Sequence, residues 1–261
     1  MLSPESRMHF SRHILITGAS SGIGAALALL YAGPEVRLSL HGRDEKRLMD
    51  IALQATGKGA VVATKTGDVT DGAAMATWVE ACDHIQPIDL IIANAGISAG
   101  TGRRVESPEQ SRAVFEVNVY GVLNTIQPAL PIMLQRRAGQ VAIMSSLASF
   151  RGFPGAAAYC ASKAAVRIYG EALRRECANH GVKVNVICPG FIRTPMTAVN
   201  RFHMPFLMKP EQAAKVIQHG LEGNQPRIAF PWPLYIMVRL LAAMPQRLLD
   251  ILAAFFPQKG G

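Results

Sequence analysis

Residues 13–31 read HILITGASSGIGAALALLY. Positions 13–17 form a short apolar run, and 22–31 then carries apolar residues at helical spacing. Between the two lies Thr17-Gly18-Ala19-Ser20-Ser21-Gly22-Ile23-Gly24. A strand that turns into a helix through glycines brings backbone N–H groups to a helix N-terminus, where a pyrophosphate binds well. The spacing is G-x-x-x-G-x-G, not the G-x-G-x-x-G of the general dinucleotide fingerprint. Many strand–helix turns are glycine-rich, so the loop alone does not separate a phosphate site from a plain turn.

The same alternation recurs outward from this unit. Residues 36–41 precede a helix from Asp44 to Ala55, 60–66 precede a helix over 71–84, and 88–93 lead through a loop to helical stretches within 107–137. Residues 140–145 precede a helix from Ala157 to His180, 182–188 run into a Pro189-Gly190 turn, and 227–231 supply a seventh strand. Short apolar strands alternating with longer helices predict an α/β fold of the doubly wound, Rossmann type. Its parallel seven-stranded sheet carries helices on both faces. The expected organisation is a tail over 1–11, a nucleotide-binding and catalytic domain over 12–233, and an apolar helical extension over 234–261.

A chain of 261 residues, 49% apolar and 17% charged, buries one large core and is not a disordered chain. The net charge of +9 is spread over pairs such as Arg103-Arg104, Arg136-Arg137 and Arg174-Arg175. That scatter argues against nucleic acid as a partner, since a binding groove needs a clustered stripe. Cys82, Cys160, Cys177 and Cys188 show neither paired nor metal-ligand spacing, so free thiols and no metal are expected. Residues 1–11 lack the apolar core of a signal peptide, which points to a cytoplasmic protein.

Further motifs follow in order. Asp68-Val69 comes after the third strand, and Asn94-Ala95-Gly96 ends the fourth. Asn118, Ser146, Tyr159 and Lys163 come next, then Pro189-Gly190, Ile192 and Thr194. Together with the glycine loop they resemble the short-chain dehydrogenase/reductase family over residues 12–230. The resemblance implies a catalytic tetrad of Asn118, Ser146, Tyr159 and Lys163, in which Asn118 distorts a helix and supports a proton relay to Lys163. It also implies a dinucleotide held by Gly18, Ser20, Ser21, Gly22, Ile23, Gly24, Arg43, Asp68, Val69, Asn94, Ala95, Gly96, Tyr159, Lys163, Pro189, Gly190, Ile192 and Thr194. Asp68 would contact the adenine, and the turn ending at Thr194 would reach the carboxamide of the nicotinamide. Homodimers or homotetramers, packed through the helices of Asn118 and Tyr159, are the expected assembly.

The residue types suit that chemistry. Tyr159 and Lys163 are four apart on a helix and so share a face. A phenol that ionises near 10 is a poor base, and a neighbouring ammonium, with an oxidised nicotinamide ring, would favour phenolate. Ser146 can donate a hydrogen bond to the same substrate oxygen. Taken singly, each has an ordinary reading: a solvated Tyr–Lys pair, a serine at a strand-end turn, Asp68 as a helix N-cap, Asn94 as a loop-fixing group. Their joint occurrence carries the catalytic reading.

Cofactor choice is decided at the end of the second strand, which reads His41-Gly42-Arg43-Asp44. An acid there would hold the ribose hydroxyls and repel a 2′-phosphate. Position 42 has no side chain, Arg43 offers a planar fork for that phosphate, and Asp44 is expected to cap the following helix. This looks like the NADP(H)-preferring branch.

The substrate end is less legible. Residues 196–208, MTAVNRFHMPFLM, read either as an apolar wall for a lipophilic carbonyl or alcohol, with His203 meeting a polar group, or as a lid sealed onto the core. Segments 234–244 and 246–256 are apolar, split at Pro245 and interrupted by Arg239, Arg247 and Asp250. Each is too short to span a bilayer. They read as a lid or subunit contact, or as a peripheral membrane anchor. The expected activity is NADPH-dependent carbonyl reduction, or the reverse alcohol oxidation. The rivals are an NAD-dependent alcohol dehydrogenase, a cofactor-binding regulatory protein without turnover, and a membrane-peripheral reductase of lipid carbonyls.

Overall fold

The computed structural model describes residues 13–98, 105–200 and 203–245. The tail, Arg103-Arg104, Arg201, Phe202 and the second apolar segment with Arg247 and Asp250 lie outside these residues.

Strands β1 (His13–Thr17), β2 (Arg37–Gly42), β3 (Val61–Thr66), β4 (Leu90–Ala93), β5 (Gly139–Met144), β6 (Val182–Pro189) and β7 (Arg227–Phe230) form a parallel sheet in the order β3-β2-β1-β4-β5-β6-β7. Between them run α1 (Gly22–Tyr31), α2 (Glu45–Gly57), α3 (Gly72–Ile85), α4 (Pro108–Phe115), α5 (Gly121–Ile126) and α6 (Leu130–Arg136). α7 (Ala157–Ala178), α8 (Pro195–Ala198), α9 (Pro210–Glu222) and α10 (Trp232–Ala243) complete the set. A π-helical turn, Glu116–Tyr120, joins α4 to α5, and a 3-10 turn, Leu147–Phe150, follows β5.

Period-two alternation explains the two layers of core. In β1, Ile14 and Ile16 pack with Leu27 of α1, Leu48 of α2 and Ile217 of α9, whereas Leu15 packs with Val79 of α3, Ile126 of α5 and Val166 of α7. Both faces of the central strands are therefore apolar, as a parallel sheet covered on both sides requires. Every one of these side chains is shielded from water, and each contributes about 2 kcal/mol by burial.

Helix α7 lies unusually close to the sheet. A Cβ on its Gly170 would come within 2.7 Å of Val186 Cγ2 and 3.0 Å of Ile143 Cδ1, so only glycine lets the helix approach β5 and β6 this nearly. Ser145 Oγ donates to the Lys163 carbonyl at 2.8 Å and ties the same helix to the end of β5. A third small cluster (Leu147, Val186, Cys188, Leu234, Val238) joins α10 to the 3-10 turn. No helix among the described residues is long and apolar enough to cross a membrane.

Candidate active site

The strand order reverses between β1 and β4, and in open α/β sheets ligands bind outside the carboxyl ends of the strands at such a point. Thr17, Gly42, Asp68, Asn94, Ser145 and Pro189 all stand at or just beyond those ends. A cavity of about 460 Å³ runs along this edge. Its lining includes every residue expected to hold the dinucleotide except Gly24, and every residue expected to act in catalysis except Asn118.

The glycine loop divides its labour. Gly18 and Gly22 have φ of +67° and +57°, conformations that L side chains seldom adopt. A Cβ on Gly18 would sit 2.9 Å from Ala95 Cα, and one on Gly22 would sit 2.9 Å from Thr194 Cγ2. Gly24 serves packing instead: its Cβ would come within 2.3 Å of the Gly18 carbonyl oxygen. The N-cap residue Ser21 makes no side-chain cap bond among the described residues and no acid stands in the first turn of α1, so its amide donors suit an anion.

Asn94 fixes the loop, donating from Nδ2 to the carbonyls of Thr17 (2.9 Å) and Gly18 (3.2 Å). Thr17 Oγ1 accepts from the amides of Asn94 (3.1 Å) and Ala95 (3.2 Å). Thr17 carried no signal in the sequence beyond ending a strand, yet it holds the β1 and β4 ends together.

At the adenosine end, Asp44 caps α2: its Oδ1 accepts from the Arg47 amide at 3.0 Å and its Oδ2 pairs with Arg47 Nε at 2.6 Å. Those bonds, the backbone one first, hold its carboxyl below the usual range. Arg43 is exposed, lines the cavity and makes no ion pair among the described residues. A Cβ at Gly42 would lie 3.1 Å from both Cβ and Oγ of Ser20, so the serine would have to yield by a few tenths of an ångström to admit one. Asp68 does not cap α3, a task that Asp71 performs by accepting from the Ala74 amide at 3.0 Å. Asp68 Oδ1 instead accepts from the Thr70 amide at 3.0 Å. Burial pushes the Asp68 carboxyl up, but the Thr70 bonds, with Arg43 and His41 nearby, outweigh that and leave it low. His41, which sequence reasoning left without a role, also lines the cavity. Burial pushes its imidazole down to about 4, and its buried Nδ1 has no hydrogen-bond partner among the described residues.

At the other end, Ser146, Tyr159 and Lys163 come together. Ser146 Oγ accepts from the Ala148 amide at 3.1 Å and donates to the Pro189 carbonyl at 3.5 Å, and its side chain meets the Tyr159 phenol, which it lowers. Lys163 Nζ lies 6.0 Å from the centre of the Tyr159 ring and donates to the Met144 carbonyl at 2.9 Å. A Cβ on Gly96 would stand 3.2 Å from Lys163 Nζ and 3.1 Å from Asn118 Oδ1, so this glycine makes room for both. Asn118 sits in the π-helical turn, buried behind the cavity. Its Oδ1 accepts from the Ile97 amide at 2.8 Å, and its Nδ2 donates to the Ile97 carbonyl and to Ser162 Oγ, each at 3.0 Å. Ser162 Oγ in turn donates to the Tyr159 carbonyl at 2.9 Å. Ser162 and Glu106 were not singled out from sequence. Glu106 Oε2 accepts from the Ala158 amide at 2.8 Å and so caps the N-terminus of α7 from a distant loop.

The ammonium four residues on, together with an oxidised nicotinamide ring, was expected to lower the Tyr159 phenol. In the protein by itself burial dominates and pushes that phenol above its ordinary 10, the Ser146 bond opposing. Lys163 is likewise pushed by burial, down to about 8. Low dielectric disfavours the charged form of each group, and the ammonium is bonded to a carbonyl instead of the phenol.

The four cysteines are free and buried, Cys160 included, and no group of residues among those described could hold a metal ion. Of the segment 196–208, Met196 lines the cavity, Met208 pairs with Ile192 and packs on the core, and Val199, His203, Phe206 and Leu207 are exposed.

Comparison with known proteins fits this geometry. The family model for short chain dehydrogenases matches residues 12–204. An "uncharacterized oxidoreductase" of Myxococcus xanthus is 37% identical over 243 residues, 93% of this chain and 96% of its own length. A 3-oxoacyl-(acyl-carrier-protein) reductase of Thermotoga maritima is 34% identical, over 78% of this chain and 87% of its own. Among solved structures, a short-chain dehydrogenase from Sphingobium yanoikuyae in complex with NADPH superposes with a TM-score of 0.79 at 24% identity, over 91% of this chain and 95% of its own. One from Mycobacterium paratuberculosis bound to NAD gives 0.74 at 23%, over 84% and 94%.

Proposed function

The chain belongs to the short-chain dehydrogenase/reductase family of oxidoreductases, and from that premise we propose that it is an NADPH-dependent reductase of a lipophilic ketone or aldehyde, reversible toward the alcohol. One observation carries the reading: Ser146, Tyr159 and Lys163 line the same cavity as the glycine cradle, with Lys163 Nζ 6.0 Å from the centre of the Tyr159 ring.

The cradle at Gly18 and Gly22, the amide donors at the start of α1 and the unpartnered Nδ1 of His41 suit a dinucleotide. Gly18, Ser20, Ser21, Gly22 and Ile23 would hold its phosphates, Asp68 and Val69 its adenine, and Pro189, Gly190, Ile192 and Thr194 its nicotinamide end. When bound, that cofactor supplies or accepts the hydride. Tyr159 holds its proton on Oη, since burial keeps the phenol neutral, and gives it to the substrate oxygen during reduction. Ser146 donates to the same oxygen and stabilises charge developing there. Lys163 presents an ammonium near the ring, and Asn118 and Ser162 fix the helix turn from which Tyr159 projects.

Preference for NADPH is supported by the missing side chain at position 42, by the commitment of Asp44 to Arg47, and by the cation Arg43 on the cavity rim, which has no ion-pair partner among the described residues. Met196 and Ile97 support an apolar substrate. The test is a carbonyl screen with NADPH and NADH on wild type and Tyr159→Phe. NADPH consumption that is lost in the variant, with cofactor binding kept, is the expected result. Equal consumption by both proteins would remove the mechanism.

A second reading concerns partners. Trp232 (74% exposed) and Leu240 (65%), with Ile236 between them, leave an apolar stripe on α10 in water. That favours contact with another subunit or with a membrane surface. Sedimentation velocity and vesicle co-sedimentation separate the two.

A further inference from the structure

Phe150 ends the 3-10 turn that Ser146 begins, and it lies outside the cavity. Three guanidinium groups from three different elements surround its ring. Arg167 of α7 stands 4.6 Å from the ring centre, Arg227 of β7 5.3 Å and Arg239 of α10 5.5 Å. Tyr235 of α10 meets it edge-on at 5.6 Å and accepts from Arg227 at 3.2 Å. Arg167 and Arg227 are partly buried and Arg239 is exposed, and three like charges gathered this closely repel one another. Glu171 is the one carboxylate in the group; it bonds Arg167 at 3.0 and 3.2 Å and also pairs with Arg227. Arg239 has no carboxylate partner among the described residues. The negative face of the ring supplies what the carboxylate count lacks, and an aliphatic side chain there would not.

The turn also packs on α7: its residues Leu147, against Leu234 and Val238, and Ser149 are buried, and its Ala148 and Ser149 amides bond back to Ser146 itself. We propose that Phe150 is a positioning residue: through its ring the three arginines anchor the turn to α7, β7 and α10, and the anchored turn aims the Ser146 hydroxyl at Tyr159. This rests on the reading of Ser146 and Tyr159 as the reacting pair.

The Ser146 bond lowers the Tyr159 phenol against the effect of burial, so the ionisation of Tyr159 reports on Ser146 without any substrate. The whole protein is labelled with fluorotyrosine, whose phenol ionises at lower pH than tyrosine, and titrated by fluorine NMR. One of its five tyrosine signals is assigned by its loss in Tyr159→Phe. Ser146→Ala raises the midpoint by about half a pH unit or more. Phe150→Leu, which keeps apolar bulk and removes the ring face, raises it similarly. The double variant moves it no further, and Phe150→Tyr restores the wild-type value. Should Phe150→Leu not fold, Arg239→Gln on exposed α10 gives a smaller rise, again absent in the Ser146→Ala background. If Ser146→Ala raises the midpoint and neither Phe150→Leu nor Arg239→Gln does, or if the shifts add, the proposal is overturned and the catalytic pair stands. If Ser146→Ala itself changes nothing, both fail.

Discussion

Replacing Lys163 with methionine should make the protein more stable at neutral pH while ending its turnover. Lys163 is 3% exposed, and burial holds it near 8 against an ordinary 10.5. At about 1.4 kcal/mol for each tenfold, keeping that ammonium charged costs the folded state about 3 kcal/mol at pH 7. Methionine fills similar space but forfeits the bond to the Met144 carbonyl, a loss of about 1 kcal/mol. The net gain is about 2 kcal/mol. Its pH dependence has a definite sign: the unfolded chain binds this proton more tightly, so wild-type stability rises as pH climbs from about 8 toward 10.5. The variant has no such rise, and by about pH 9.5 its advantage should shrink to near zero. Urea unfolding of both proteins at the two pH values measures this. The difference between them cancels the shared groups that do not interact with Lys163. A variant less stable than wild type at pH 7, or a gap equal at both pH values, would refute the reasoning.

Arg43→Ala should weaken NADPH binding by about tenfold or more and leave NADH nearly unchanged, because only the 2′-phosphate loses a charged partner; fluorescence titration with both cofactors checks it. Gly24→Ala should lose both stability and cofactor affinity, since its methyl meets the Gly18 carbonyl at 2.3 Å and the loop must open to admit it. Thermal unfolding and NADPH titration read the two effects, and an unchanged midpoint would show that the loop is softer than its packing implies. Gly170→Ala should destabilise by about 1–3 kcal/mol through overpacking against Val186 and Ile143, measured by urea unfolding.

The sheet was legible because each strand is a short apolar run followed by a turn residue, and errors at its edges are one or two residues: β2 starts at Arg37 instead of 36, and β4 at Leu90 instead of 88. The capping role of Asp44 was legible too, as it depends only on its distance from a helix start. What sequence hid depends on neighbours brought from afar. Asp71, not Asp68, caps α3, a choice set by where the helix begins. Glu106 caps α7 across a gap of 52 positions. Spacing along a helix reveals an ammonium near Tyr159, but not how dry the site is before a cofactor binds, nor that a carbonyl of β5 engages that ammonium. The Phe150 cluster draws on three elements, and no local pattern marks it.

The contact between Gly42 and Ser20 has a consequence for how this enzyme's cofactor choice can change over generations. An acidic side chain at the β2 end, the device that grips ribose hydroxyls, must begin with a Cβ only 3.1 Å from the serine. The two positions touch, so any side chain gained at position 42 needs Ser20 to yield by a few tenths of an ångström.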